Sequence, residues 1–108
     1  MCRRPHGAAF VTWTAVPPKQ LKITAGEEQL TRFENGPPKG VRSFCSNCGS
    51  HLFCQGEEDV IDIGMAALHG PIDWLPEAHY YYDSRADWEE TNNDLPKFGG
   101  ADGMQPLD

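Results

Sequence analysis

Proline and glycine punctuate this chain so often that no long helix fits in it: 9 prolines and 11 glycines among 108 residues. A helical bundle or coiled coil needs long uninterrupted periodic runs, and proline inside such a run removes a hydrogen bond and breaks it. The pieces left between the breakers are short and rich in β-branched and aromatic residues. Phe10-Val-Thr-Trp-Thr-Ala-Val16 reads as a strand stopped by Pro17-Pro18, and Leu21-Lys-Ile23 as a short alternating piece. Leu30–Phe33, Val41–Phe44, Ser50–Cys54, Val60–Met65 and the aromatic run His79–Tyr82 follow as strands. Asn35–Gly40 and the acidic Gln55–Asp59 carry the residues that favour turns. Single helical turns are expected at Ala66–His69 and Arg85–Trp88. Short strands spaced about ten residues apart indicate a mainly β fold, an all-β sandwich or a curled sheet pair. One domain over 1–98 is expected, followed by a polar tail at 99–108 that is flexible.

Composition narrows the function classes. No stretch approaches the ~18 apolar residues of a membrane span. Arg3 and Arg4 near the N-terminus have no apolar signal region behind them, so the expected compartment is the reducing cytoplasm. The formal charge of -7 disfavours a nucleic-acid partner, which wants a basic face. The charge is split: residues 1–42 hold seven Lys/Arg and three Asp/Glu, and residues 43–108 two and thirteen.

Four cysteines, Cys2, Cys45, Cys48 and Cys54, point in such a compartment to metal or redox chemistry more than to a disulfide framework. The local pattern Phe44-Cys45-Ser-Asn-Cys48-Gly49-Ser50 lies between two strands. A two-residue gap lets both sulfurs face one point, and glycine supplies the backbone freedom of a zinc-knuckle turn. A redox dithiol of the thioredoxin kind needs a following helix to lower its pKa, and none is expected here. A dithiol or two plain thiols remain the other readings. Structural zinc takes four ligands. Cys54 lies too far along its strand to join Cys45 and Cys48, at ~3.3 Å per residue. His51 is nearer, but reads first as a half-buried strand histidine.

Cys2-Arg-Arg-Pro-His-Gly-Ala-Ala-Phe10, the Phe44–Leu52 run, and Trp88 with Asp94-Leu-Pro-Lys-Phe98 together resemble the glutathione-dependent formaldehyde-activating enzyme (GFA) family, also called centromere protein V-like. The resemblance covers nearly the whole chain, and its specificity comes from the order and spacing of the pieces. It implies a mainly β, Mss4-like fold of curled antiparallel sheets around zinc. It also implies two metal sites. One is structural, with two cysteines from an early Cys-x-Cys and two from the later turn, matched here by Cys45 and Cys48. The other is catalytic, with three cysteines, the last matched by Cys2. The pattern before Met1 is missing, so both sites are expected to be incomplete and the catalytic zinc poorly held.

The reaction implied joins a thiol such as glutathione to formaldehyde, or splits that adduct, as a carbon–sulfur lyase. On that resemblance Cys2 and His6 are the catalytic candidates, Arg3 and Arg4 bind substrate carboxylates, and Cys45, Cys48 and Cys2 are metal ligands. Each has a plainer reading as solvated N-terminal charge, turn histidine or free thiol. The alternative function is a non-catalytic small-molecule or protein binding module that has lost the catalytic zinc. A homodimer is expected, because missing front strands would leave a sheet edge open.

Overall fold

The computed structural model of the protein describes residues 3–34, 40–56 and 59–107. Among them the chain is mainly β, as the spacing of breakers requires. A short helix α1 (Arg3–His6) precedes β1 (Trp13–Val16), β2 (Leu30–Glu34), β3 (Val41–Cys45), β4 (His51–Gln55) and β5 (Ile61–Gly64). These five strands form one antiparallel sheet in the order β1-β5-β4-β3-β2. A two-stranded sheet pairs β6 (Phe98–Gly99) with β7 (Gln105–Pro106). Short 3-10 turns occupy Pro18–Gln20, Glu27–Gln29, Met65–Ala67 and Tyr82–Ser84. Contacts within the chain divide it into two compact units, Val11–Gly70 and Met1–Phe10 with Pro71–Asp108.

The five-stranded sheet belongs wholly to Val11–Gly70. Its register sorts side chains by face, since directly paired residues project to the same side. One row runs Phe33, Arg42, Cys54, Asp62, Ala15, and the next runs Arg32, Ser43, Phe53, Ile63, Thr14. Ser43 (2% exposed) and Arg42 (6%) are buried side by side on β3, one on each face. Ile61, 5% exposed, anchors the Ser43 side, where a cavity of about 300 Å³ is floored by Val41, Ser43, Phe53 and Ile61 and covered by Leu21 and Ile23. Between Ser43 and Phe44 the pairing slips by one residue, so Phe44 faces His51 rather than Leu52. Such a bulge bends the strand and re-aims the side chains beyond it; here those side chains lead into the cysteine turn.

Several local expectations change. Leu21–Ile23 is extended but pairs with no described strand; it serves as the cover of the cavity. His79–Tyr82 is not a strand. It makes one isolated bridge, His79 to Lys97, and then turns, because Tyr81 sits in the left-handed region at φ 53°. The helical turn expected at Arg85–Trp88 lies instead at Tyr82–Ser84, and residues 86–89 form a hydrogen-bonded turn, the Glu89 N–H donating to the Ala86 carbonyl at 3.0 Å. The single turn at Ala66–His69 starts one residue earlier, at Met65. The C-terminal stretch carries the β6–β7 pair, and Tyr80 stacks on Phe98 with ring centroids 5.4 Å apart. The expected turn at Asn35–Gly40 falls mostly outside the described residues, as do Glu57 and Glu58 of the acidic turn. Among the described residues no helix is long and apolar enough to cross a membrane.

Gly40 enters β3 at φ +80°, and a Cβ there would stand 2.5 Å from the Gln55 carbonyl oxygen at the end of β4. Both the dihedral and the close approach demand glycine. Gly40→Ala is therefore expected to destabilise the fold by about 2 kcal/mol or more, read as the shift of a denaturant unfolding midpoint. An unchanged midpoint would contradict this packing of β3 on β4.

Candidate functional site

The Cys45–Cys48 turn is built by hydrogen bonds at both ends. The Cys45 N–H donates to the Ser50 carbonyl at 2.9 Å, and the Gly49 N–H to the Cys45 carbonyl at 2.7 Å. Gly49 takes φ +80°, the left-handed conformation expected of it. Ser46 ties the turn to the start of β2: its N–H and its Oγ both donate to the Gln29 carbonyl, at 2.7 and 2.8 Å. Cys45 is half-buried and Cys48 exposed, and both are free thiols.

Cys48 Sγ lies 3.1 Å from Ser50 Oγ. Once the thiol ionises, that hydroxyl donates to the sulfur. The Ser50 hydroxyl, then the Ser50 backbone, then the Cys45 thiol hold the Cys48 thiol below its ordinary range, against a smaller opposing effect of burial. Ser50 is a partner that the sequence reading passed over. The signal was its position two residues beyond Cys48, at the mouth of β4.

A pair of thiols with one already biased toward thiolate fits one half of a tetrahedral zinc site. The described residues do not complete it: none of their His, Cys, Asp and Glu side chains gather in a group of three able to hold a metal. Cys2, the remaining metal candidate, lies outside the described residues. His51 is half-buried on β4, and its ring meets Trp13 edge-on with centroids 5.9 Å apart, as its plainer reading anticipated. Cys54 stands apart from the turn, paired in register with Arg42 on one side and Asp62 on the other.

The other candidates lie in the second unit. Arg3 and Arg4 stand at the start of α1, and His6 at its end, half-buried. The Ala8 N–H donates to the Arg3 carbonyl at 3.2 Å and closes this short helix. Arg3 and Arg4 line one cleft of about 320 Å³ with Gly7, Ala8 and Trp88. His6 is not among its lining residues. His79 is hydrogen bonded through Nε2 to Asn93 Oδ1 at 3.0 Å and packs on the Tyr82 ring. Tyr82 in turn lies beneath the Arg85 guanidinium, 4.2 Å from its ring centroid. Tyr80 and Tyr82 thus pack through side-chain stacks rather than in a strand.

Comparison with known proteins bears on both features. The sequence profile of the glutathione-dependent formaldehyde-activating enzyme family matches residues 1–84, a span that contains Arg3, Arg4, His6 and the cysteine turn. A protein of Colletotrichum graminicola named "Putative glutathione-dependent formaldehyde-activating enzyme" is 26% identical over 89 residues, which are 82% of this chain and 41% of the relative. The chain therefore spans about two fifths of the length of that curated relative. With the family profile matched over most of its length, this chain belongs to the glutathione-dependent formaldehyde-activating enzyme family.

Proposed function

We propose that this domain binds glutathione-type thiol adducts of formaldehyde or a related aldehyde and serves carbon–sulfur lyase chemistry on them. The observation that carries the reading is the placing of two guanidinium groups, Arg3 and Arg4, on one cleft within the family profile. Guanidinium is the side chain that takes carboxylate with two parallel hydrogen bonds, and glutathione carries two carboxylates. In the joining direction a sulfur–carbon bond forms, the thiol proton leaves sulfur, and the carbonyl oxygen gains a proton. The splitting direction reverses each change. Arg3 and Arg4 hold the substrate. His6, with an imidazole that ordinarily titrates near neutrality, is the candidate to move the proton. Cys45 and Cys48 would hold zinc as two of its structural ligands, and Cys2 is the candidate ligand of the catalytic metal. Bound zinc supplies a cross-link at the first site and polarisation of a substrate oxygen or sulfur at the second.

A second reading is a binding module without catalysis. What favours it is the donor set: two thiols come together among the described residues, and no third metal-ligating side chain joins them. The arginine cleft needs no metal to bind an anion.

Self-association through the edges of the sheet is part of this proposal. Its outer strands β1 and β2 have no further described strand beside them, and an open edge invites pairing with a second copy.

Exchange between free formaldehyde and the glutathione adduct, followed by two-dimensional NMR, separates the two readings. Catalysis predicts an exchange rate above the spontaneous one, and Arg3→Gln with Arg4→Gln should raise KM about tenfold or more. Glutathione binding without accelerated exchange would leave the binding module. In the metal-free protein, Ser50→Ala should move the pH midpoint of Cys48 alkylation by iodoacetamide upward, slowing the reaction at neutral pH; an unmoved midpoint removes Ser50 from the turn's chemistry. Sedimentation at micromolar concentration should find a dimer. A monomer would overturn the association.

A further inference from the structure

The cleft beside α1 has a fifth wall that the proposed function does not use. Trp88 lines it together with Arg3, Arg4, Gly7 and Ala8. Its indole is 69% exposed, yet its backbone is well held. Two residues earlier Ala86 is 1% exposed, and the Glu89 N–H closes the turn onto the Ala86 carbonyl. One residue before that, Arg85 Nη1 donates to the Tyr82 carbonyl at 2.9 Å and its guanidinium covers the Tyr82 ring. A large flat side chain is thus presented to solvent by an anchored loop, on a cleft that two arginines also line.

Exposed tryptophan beside arginine is a combination that recognises a flat, anionic group: the guanidinium takes the charge and the indole face takes the adjoining plane. The volume, about 320 Å³, is at the lower end for small-molecule sites. It suits one end of a tripeptide. The two ends of glutathione differ chemically. The glycine end is a plain carboxylate next to a planar amide. The γ-glutamyl end is a carboxylate that shares its carbon with an ammonium group. Among the described residues, the charged ones lining the cleft are arginines, which attract the first and repel the ammonium of the second. Asp87 and Glu89 flank Trp88 along the chain but do not line the cleft.

We infer that Trp88 is a specificity-determining residue, and that the Arg3–Arg4–Trp88 cleft takes the glycine end of a glutathione-type ligand, its carboxylate on the arginines and its amide plane on the indole. This rests on the proposed reading of Arg3 and Arg4 as carboxylate binders and adds to it which end binds and what packs on it. Neither part needs the thiol or a metal.

The test uses S-methylglutathione, whose blocked sulfur keeps thiol and metal chemistry out, with binding measured by calorimetry. Comparison ligands are its glycine ethyl ester and S-methyl-cysteinylglycine, which lacks the γ-glutamyl end. The glycine ester should bind at least about tenfold more weakly, and S-methyl-cysteinylglycine within about threefold of the parent. Trp88→Ala should weaken the parent about tenfold and Trp88→Phe less, with the unfolding midpoint of each variant confirming that the exposed site tolerates the change. If Arg3→Gln and Arg4→Gln abolish binding while Trp88→Ala and the ester leave it unchanged, the inference on Trp88 and the glycine end is overturned and the arginine reading survives. If the variants Arg3→Gln and Arg4→Gln bind as well as the parent protein, or the parent protein does not bind S-methylglutathione at all, the reading beneath it falls as well.

Discussion

The pairing of β3 with β4 is the constraint on which the rest of Val11–Gly70 depends. It is the inner hairpin of the five-stranded sheet, with β2 added on one side and β5 on the other. Each of its ends is closed by a glycine in the left-handed region. Gly40 lets β3 begin against the end of β4, and Gly49 lets the chain reverse between Cys45 and Ser50. Between those ends the register slips once, at Ser43/Phe44. The slip is what lets a short connection return the chain while Cys45 still bonds to Ser50. Cys45 and Cys48 are therefore poised by the sheet itself, before any metal is considered.

The same hairpin explains an unusual interior. Its two most buried side chains are polar, Ser43 and Arg42, and a buried cation is costly unless it is compensated. The register supplies the compensation's ingredients in one row. Arg42 pairs with Cys54, and Cys54 pairs with Asp62 on the next strand. A carboxylate and a polarizable thiol thus stand on the face to which the guanidinium projects. Cys54, which stands apart from the cysteine turn, acquires a structural reason from this row.

Much of this was legible from the chain alone, because the signals are local. Strands over 10–16, 30–33, 41–44, 50–54 and 60–65 announce themselves by alternation between breakers, and β1 to β5 fall inside or within a residue of them. The cysteine turn is fixed by four residues and a glycine. What escaped is of two kinds. Some elements are too short to carry a period: β6 and β7 have two residues each, and their pairing is stabilised by the Tyr80–Phe98 stack rather than by pattern. At His79–Tyr82 the aromatic composition argues for a strand, but the backbone turns at Tyr81 and Tyr82 is drawn under two cations, Arg85 and Lys97. Tertiary packing overrides propensity there. The second kind is long-range. Nothing in the spacing of Arg3, Arg4 and Trp88 says that one cleft gathers them across more than eighty residues of chain.

That gathering also changes the meaning of the charge split. In sequence, Arg3 and Arg4 belong to the basic first part. In the fold they belong to the unit formed by Met1–Phe10 and Pro71–Asp108, which carries four Lys/Arg against nine Asp/Glu. A net negative unit does not draw anions from a distance, since its summed field repels them. At physiological ionic strength, however, that field fades over ~8 Å, and a carboxylate in contact with the cleft meets the two guanidiniums first. On the proposed reading, capture rests on contact: paired hydrogen bonds from the arginines and the flat face of an indole. A site of this kind discriminates by shape and by the position of a single charge, and it favours ligands that bring an amide plane with their carboxylate over small inorganic anions that bring charge alone.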